Sequence, residues 1–422
     1  MRRTIVLSVA VSLVCGLLSV ALADGPALLG EQKKGPKDKT ESKWAPAVTP
    51  KPLSKKVDKG LDWLAEHQLP SGAWGQGEES AAMGGGTQMK DVASVADTSI
   101  AALAMIRSGS TPAKGPHAKN LMKAVEFVCT EVEKSDQASI FVTETRGTRV
   151  QSKLGPYIDT FLANLFLSEV QEQMPDKKSL ERVSAALNKV LAKIQKNQKA
   201  DGTWHDGGWA PTIAQGLAVK GLNRAAQIGK PVDEKVRAKA AEYSQKQFDA
   251  RSGKFSGAGS AGVELYSAGS NLGALSDSVN TNQAREQDLK QQVATAKTEP
   301  ERKAAQETLK TYEGVKKDMA EQQQAIIARL DDKAFIAGFG SNGGEEFLSY
   351  MNIGESLVVK GGDEWKAWDK SIGENLDRIQ NGDGSWTGHH CITGRTFCTA
   401  AALLVLLTDR TPVPIAAKIG RR

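Results

Sequence analysis

The chain has 422 residues, is 40% hydrophobic and 25% charged, and carries a formal net charge of +6. These are the proportions of an ordinary globular chain, long enough for one large domain or two smaller ones. The charge is local, with nine lysines and four acids between Glu31 and Lys59; the rest is close to neutral, which excludes nucleic acid as the main ligand.

Residues 1–23 read as a secretory signal. Arg2 and Arg3 precede an apolar run from Ile5 to Val20, and Ala21-Leu22-Ala23 forms a small-residue cleavage site. A retained anchor is the alternative, but the run is short, and no other segment is long enough to span a membrane. The expected location is periplasmic, envelope-associated or secreted. Residues 24–54 are rich in Lys and Pro and are expected to be a disordered linker.

From about Lys55 to Asp409 (55–409) the chain reads as paired helices, with 410–422 as a tail. Apolar residues recur at helical spacing in Ser94–Ile106, Leu121–Val132, Thr160–Val170, Ser179–Ile194, Ile213–Ala226, Val236–Phe248, Phe347–Val359 and Thr396–Leu407. Ser139–Thr145 is a modest strand candidate. The pattern Q-x-x-x-G-x-W occurs three times, each after a helical stretch: Gln68-Gly72-Trp74, Gln198-Gly202-Trp204 and Gln380-Gly384-Trp386. Gln ends a helix, Gly permits the tight turn, and Trp folds back as an apolar plug. Second helices rich in small residues begin near Asp97, Asp159, Pro211, Glu264, Glu345 and Arg395, which makes six hairpins. The predicted fold is all-α, an (α/α)6 toroid with small-residue helices inside and charged ones outside. An open solenoid is the alternative.

Residues 272–331 carry two polar heptad series, from Leu272 to Ala296 and from Ala305 to Leu330, separated by Pro300. They predict an inserted antiparallel coiled-coil hairpin. It is either an arm for self-association or a protein partner, or a solvated insertion. Cys129, Cys391 and Cys398 remain after the signal. Cys391 and Cys398 are too far apart on one helix for a bond, and a Cys129 bridge to either is left open.

In a closed toroid Asp97, Asp159, Glu264, Glu345, His389, His390 and Arg395 converge on one ligand-binding mouth. Capping is the plainer role for Asp97 and Asp159. Arg395 opposes the dipole at its helix start, so it answers an acid of the chain or of a ligand.

The three turns, the six pairs and the Asp97-Thr98 start of an inner helix resemble the terpene cyclase/protein prenyltransferase superfamily. Within it, the chain is similar to exported bacterial squalene cyclase-like and prenyltransferase-like proteins. The resemblance implies an acid in a D-x-D-D-T-A motif for cyclases, but Ala96 stands at the proton donor's place, and aromatic residues are only 5% of the chain. For prenyltransferases it implies a zinc site. Here Glu345, His389 and Cys391 are the candidate ligands, with Phe347 where the family has its Cys, and the expectation is no cofactor. The resulting expectation is a non-catalytic binding or scaffold protein of the envelope, with an apolar or isoprenoid ligand in its funnel. The alternative is an isoprenoid-class enzyme with a rearranged site, its catalytic candidates being Asp97, His389 and Arg395.

Overall fold

The computed structural model describes residues 42–80 and 89–416. The expected signal peptide (1–23), the first part of the linker (24–41) and the end of the tail (417–422) lie outside the described residues. A short strand β1 (Trp44–Pro46) leads into the first hairpin, α1 (Lys55–Glu66) and α2 (Val95–Arg107). The second is α3 (Ala118–Lys134) and α5 (Ile158–Val170), with the short α4 (Arg149–Leu154) between. The third is α6 (Lys177–Lys196) and α7 (Pro211–Gln227). In the fourth, α8 (Glu234–Lys246) meets α9 (Glu264–Thr295) through a ribbon of β2 (Phe248–Asp249) and β3 (Lys254–Phe255). The fifth is α10 (Glu299–Ile327) and α12 (Gly344–Lys360), with α11 (Lys333–Ile336) between. The sixth is α13 (Gly362–Ile379) and α14 (Arg395–Leu406), followed by β4 (Pro412–Pro414).

The second helices pack side by side in the order α2, α5, α7, α9, α12, α14 and back to α2. The fold is therefore an all-α (α/α)6 toroid, closed rather than an open solenoid. Outer helices bury one stripe, as α1 does with Val57, Leu61 and Leu64. Inner helices are buried all round, as α5 is along its whole length. Small residues let the inner helices approach: a Cβ on Gly273 would lie 2.8 Å from the Asn352 side chain.

The three repeated turns build the outer ring with one set of bonds. Trp74, Trp204 and Trp386 each donate Nε1 to the carbonyl ten residues upstream, at Leu64, Ile194 and Leu376 (2.7–2.9 Å). Gln68, Gln198 and Gln380 each donate Nε2 both across their own turn and to the next outer helix or the residue leading into it. The receiving carbonyls are Asn120 in α3, Val236 in α8 and Lys56 in α1. The third bond joins the last outer helix to the first.

The sequence expectations need three corrections. Residues 42–54 are not a disordered linker. β1 pairs antiparallel with β4, Ala45 opposite Val413, Trp44 Nε1 donates to Gln227 Oε1 at 2.8 Å, and Lys51 N donates to Asp409 Oδ2 at 2.7 Å. The start of the 410–422 tail is likewise ordered. Ser139–Thr145 is an irregular loop, its Ser139 and Phe141 carbonyls held by Lys193 Nζ. The antiparallel pair predicted at 272–331 exists as α9 and α10, but both helices belong to the toroid. Leu272, Leu275 and Val279 are core residues, and only the distal ends stand clear. Thr298 and Glu301 form a capping box that starts α10 just before Pro300.

Candidate active site: the carboxyl cluster at the inner-helix starts

The first turns of three inner helices bring four acids into the core. Ser94 caps α2, its Oγ accepting from Asp97 N at 3.2 Å, and Asp97 follows with both carboxyl oxygens buried and unpartnered. Burial, together with the nearby Asp159 charge, pushes the Asp97 carboxyl up to about 7. Asp159, on the first turn of α5, accepts from Ala96 N (2.9 Å) and from Gln151 Nε2 (2.7 Å). Burial still raises it, against those two donors. Asp159 thus does cap a helix, but the neighbouring α2 rather than its own.

Glu345 and Glu346 open α12 and face different surroundings. Glu345 Oε2 accepts from Ile392 N at 3.2 Å, while Oε1 is buried without a partner. Burial and the adjacent Glu346 push Glu345 up to about 8. Glu346 Oε1 accepts from Tyr266 Oη (2.5 Å) and Phe339 N (3.1 Å), and its Oε2 lies 3.3 Å from His390 Nε2. Burial opposes a charge on His390, but its contacts with Cys391 and Glu346 prevail and raise it to about 11. His390 Nε2 also lies 2.8 Å from the Ser341 carbonyl. Cys398, on the first turn of α14, is pushed well up by burial, by Glu345 and by Asp97, so its thiol lies within the electrostatic reach of both acids. Cys391 takes a left-handed φ of 53°, a strain of about 1–2 kcal/mol placed where the chain turns from His390 to Ile392.

The segment Gln76–Ser80 lies against the start of α14. Thr396 N donates to Gln76 O (3.2 Å), Arg395 N to Glu78 O (3.1 Å) and Ser80 N to Thr393 Oγ1 (3.3 Å). Glu79 pairs with Arg149 at 2.8 Å.

Several sequence candidates fall outside the cluster. Glu264 accepts from Phe255 N and pairs with Arg329 at 2.8 Å. Arg395 answers acids of the chain, Asp383 and Glu78, and lies over the Trp63 ring. His389 is exposed on the rim, its backbone N–H held by Asn342 O. Glu345, His389 and Cys391 do not assemble into a zinc site. His389 faces solvent while Cys391 is buried, and no three metal-ligating side chains group together among the described residues. All three cysteines are free and buried, so the Cys129 bridge does not form.

A second polar layer was not foreseen. Arg107, Glu169 and Glu355 each lie ten residues beyond Asp97, Asp159 and Glu345, roughly 15 Å down the same helices. With Lys220, Arg224 and Asp277 they close a buried cycle of alternating charge. Its links are Glu169–Arg107 (2.7 Å), Arg107–Glu355 (3.0 Å), Glu355–Lys220, Lys220–Asp277 (2.8 Å), Asp277–Arg224 (3.3 Å) and Arg224–Glu169 (3.4 Å). Five inner helices contribute, and Thr411, beyond the sixth, accepts from Arg107 at 3.2 Å. These charges link the inner helices across the interior of the ring. The sequence signal was there: on α2, α5 and α12 a second charge recurs ten residues after an acid of the first turn.

No family model and no curated protein matches the chain. Solved structures do. The chain is similar to an inactive variant of the α-1,6-mannanase GH76A of Salegentibacter sp. HEL1_6, with two adjacent aspartates replaced by asparagine, in complex with α-1,6-mannotriose. Identity is 9%, the match covers 84% of this chain and 98% of that one, and the TM-score is 0.50. A glycosidase with one glutamate replaced by alanine matches at 12% identity over 84% of this chain and 96% of that one, with a TM-score of 0.32.

The toroid is thus a fold that this chain shares with a solved α-1,6-mannanase. This corrects the resemblance to squalene cyclases and prenyltransferases, and with it the expected isoprenoid enzyme or non-catalytic envelope scaffold. The physical reason lies in the repeated turns. Gln, Gly and Trp staple neighbouring outer helices, a structural role that implies no particular chemistry at the mouth of the ring.

Proposed function

We propose that the protein is a glycoside hydrolase, working at the start of α12 and acting on a neutral glycan. Glycosidic cleavage needs one carboxyl that holds its proton near neutral pH and one carboxylate that supports the developing positive charge or activates water. The observation that carries the reading is the contrast between two adjacent acids. Glu345 is held up at about 8 with one oxygen free, the state of a general acid. Glu346 accepts from Tyr266 Oη and Phe339 N and lies 3.3 Å from His390 Nε2, so donors surround it where Glu345 Oε1 has none. The similar mannanase was inactivated by replacing two adjacent acids, which supports an adjacent pair here.

No helix among the described residues is long and apolar enough to cross a membrane. Export through residues 1–23 would place the enzyme where polysaccharides occur.

The test is release of reducing ends from a panel of neutral polysaccharides headed by α-1,6-mannan. The full chain hydrolyses at least one, and Glu345→Gln and Glu346→Gln each lose about 10²-fold or more in kcat. Unchanged turnover in both variants would overturn the assignment.

A further inference from the structure

The dipeptide Asn-Gly occurs twice, at Asn342-Gly343 and Asn381-Gly382. In such a pair the backbone nitrogen of glycine can attack the preceding side-chain amide, because glycine puts no side chain in the way. The fold treats the two copies differently. Asn381 lies in the third repeated turn. Its Nδ2 donates to Ser385 Oγ at 3.0 Å and Thr387 Oγ1 at 2.9 Å, and its carbonyl accepts from Gly384 N at 3.0 Å. Those bonds hold the amide against the hydroxyls of its own turn.

Asn342 is the opposite case. It precedes Gly343, the N-cap of α12, and is half-buried on the wall of a cleft of about 730 Å³. Its backbone is fixed, since Asn342 O accepts from His389 N at 2.8 Å. Its side-chain amide makes no hydrogen bond among the described residues, and neither does Gly343 N. Glu346 stands at the third position of α12, from which a side chain can reach back to the N–H of the cap. Its Oε2 is buried and accepts no hydrogen bond, and a Cβ on Gly343 would lie 3.1 Å from it. A carboxyl oxygen without a partner, beside an N–H without a partner, is a base next to the proton it must take. The same Cβ would lie 2.9 Å from the His390 carbonyl, so the backbone here has room for glycine alone.

We propose that Asn342-Gly343 is a self-modification site, at which the fold promotes conversion of the asparagine to an aspartyl or isoaspartyl residue. Gly343 N gives its proton to Glu346 Oε2 and bonds to Asn342 Cγ. The Cγ–Nδ2 bond breaks, Nδ2 takes the proton back from Glu346, and ammonia leaves into the cleft. Water then adds to either carbonyl of the cyclic imide and opens it. Attacking atom, amide and base are held in one structure, so the first step is intramolecular throughout. The product adds a carboxyl three residues before Glu345. In its isoaspartyl form the main chain runs through Cβ and Cγ. The carbonyl that holds His389 N becomes a free carboxylate, and the chain into α12 lengthens by one methylene. The change runs one way and sets a lifetime on the carboxyl cluster, whatever reaction that cluster performs.

Peptide mapping by mass spectrometry tests it, on the full chain incubated at neutral pH in oxygen-18 water so that each new acid carries a heavy oxygen. In folded wild-type protein Asn342 converts about tenfold or more faster than Asn381, and in the urea-unfolded chain the two convert at similar rates. Glu346→Gln slows conversion of Asn342 about tenfold or more and leaves Asn381 unchanged. If that variant does not fold, the comparison of folded with unfolded wild type decides. Equal rates at both sites in the folded chain overturn the proposal. So does faster conversion of Asn342 in the unfolded chain than in the folded one, or an unaltered rate in folded Glu346→Gln. None of these measurements involves a glycan, so the hydrolase assignment stands or falls apart from them.

Discussion

Gly384 carries two constraints at once. Its φ is 95°, and a Cβ would lie 2.6 Å from the Lys59 carbonyl of α1. Gly384→Ala therefore strains the turn and pushes α13 from α1 at the seam of the ring. The expected cost is about 2 kcal/mol or more in a denaturant titration; an unchanged midpoint would contradict this role. Glu345 makes a pH prediction. Burial lifts its carboxyl from an ordinary 4.5 to about 8 in the folded chain. Between those values the folded state binds more protons than the unfolded one. Stability contributed by the protonated group is complete below about pH 4.5 and is lost as pH rises through about 8. Glu345→Gln removes that slope, so its melting temperature gains on wild type at pH 8 relative to pH 4. A difference that is equal at both pH values would show that Glu345 titrates normally.

At the scale of elements, the six-charge cycle joins five inner helices at the end opposite the acids. Arg107→Met leaves Glu169 and Glu355 facing each other with one cation fewer. Breaking one partner of a buried pair costs about 3–5 kcal/mol, read as a shift in unfolding midpoint. A loss below 1 kcal/mol would mean that the remaining cations compensate. The strap formed by β1 and β4 lies beside this cycle, since Arg224 Nη1 donates to Pro412 O and Trp44 bonds to Gln227. Trp44 is half-buried, so Trp44→Ala should cost about 1–2 kcal/mol, less than a fully buried Trp. Protease cleavage before Lys55 should quicken with it; an unaltered cleavage rate would argue against a strap.

The toroid was legible because its repeats are local. Gln, Gly and Trp at fixed spacing end each outer helix by short-range bonds, and inner helices announce themselves by small residues. The strap was not legible. Lys and Pro composition suggests a solvated tether, while Trp44, Val48 and Leu53 find their apolar partners only across the closed ring. At the site, Asp97, Asp159, Glu345 and His390 could be read from helix starts. Tyr266 and Glu346 could not be paired, because their bond joins α9 to α12 over eighty residues of chain. Arg395 looked like a mouth cation, yet Asp383 and Ser385, in the turn before its own helix, claim its guanidinium.

The described residues from Ser42 onward form a closed ring with two polar layers about 15 Å apart: an uneven cluster of acids at one end and a neutralised charge cycle at the other. Of the two layers, only the first leaves buried carboxyl oxygens without partners. The most direct measurement is the pH dependence of kcat/KM on a hydrolysed glycan such as α-1,6-mannan. With Glu345 as the proton donor, the rate holds through neutrality and falls above about pH 8 as the proton is lost. A rate that stays level through pH 9, or full-length protein that releases no reducing ends from any glycan in the panel, would contradict the account.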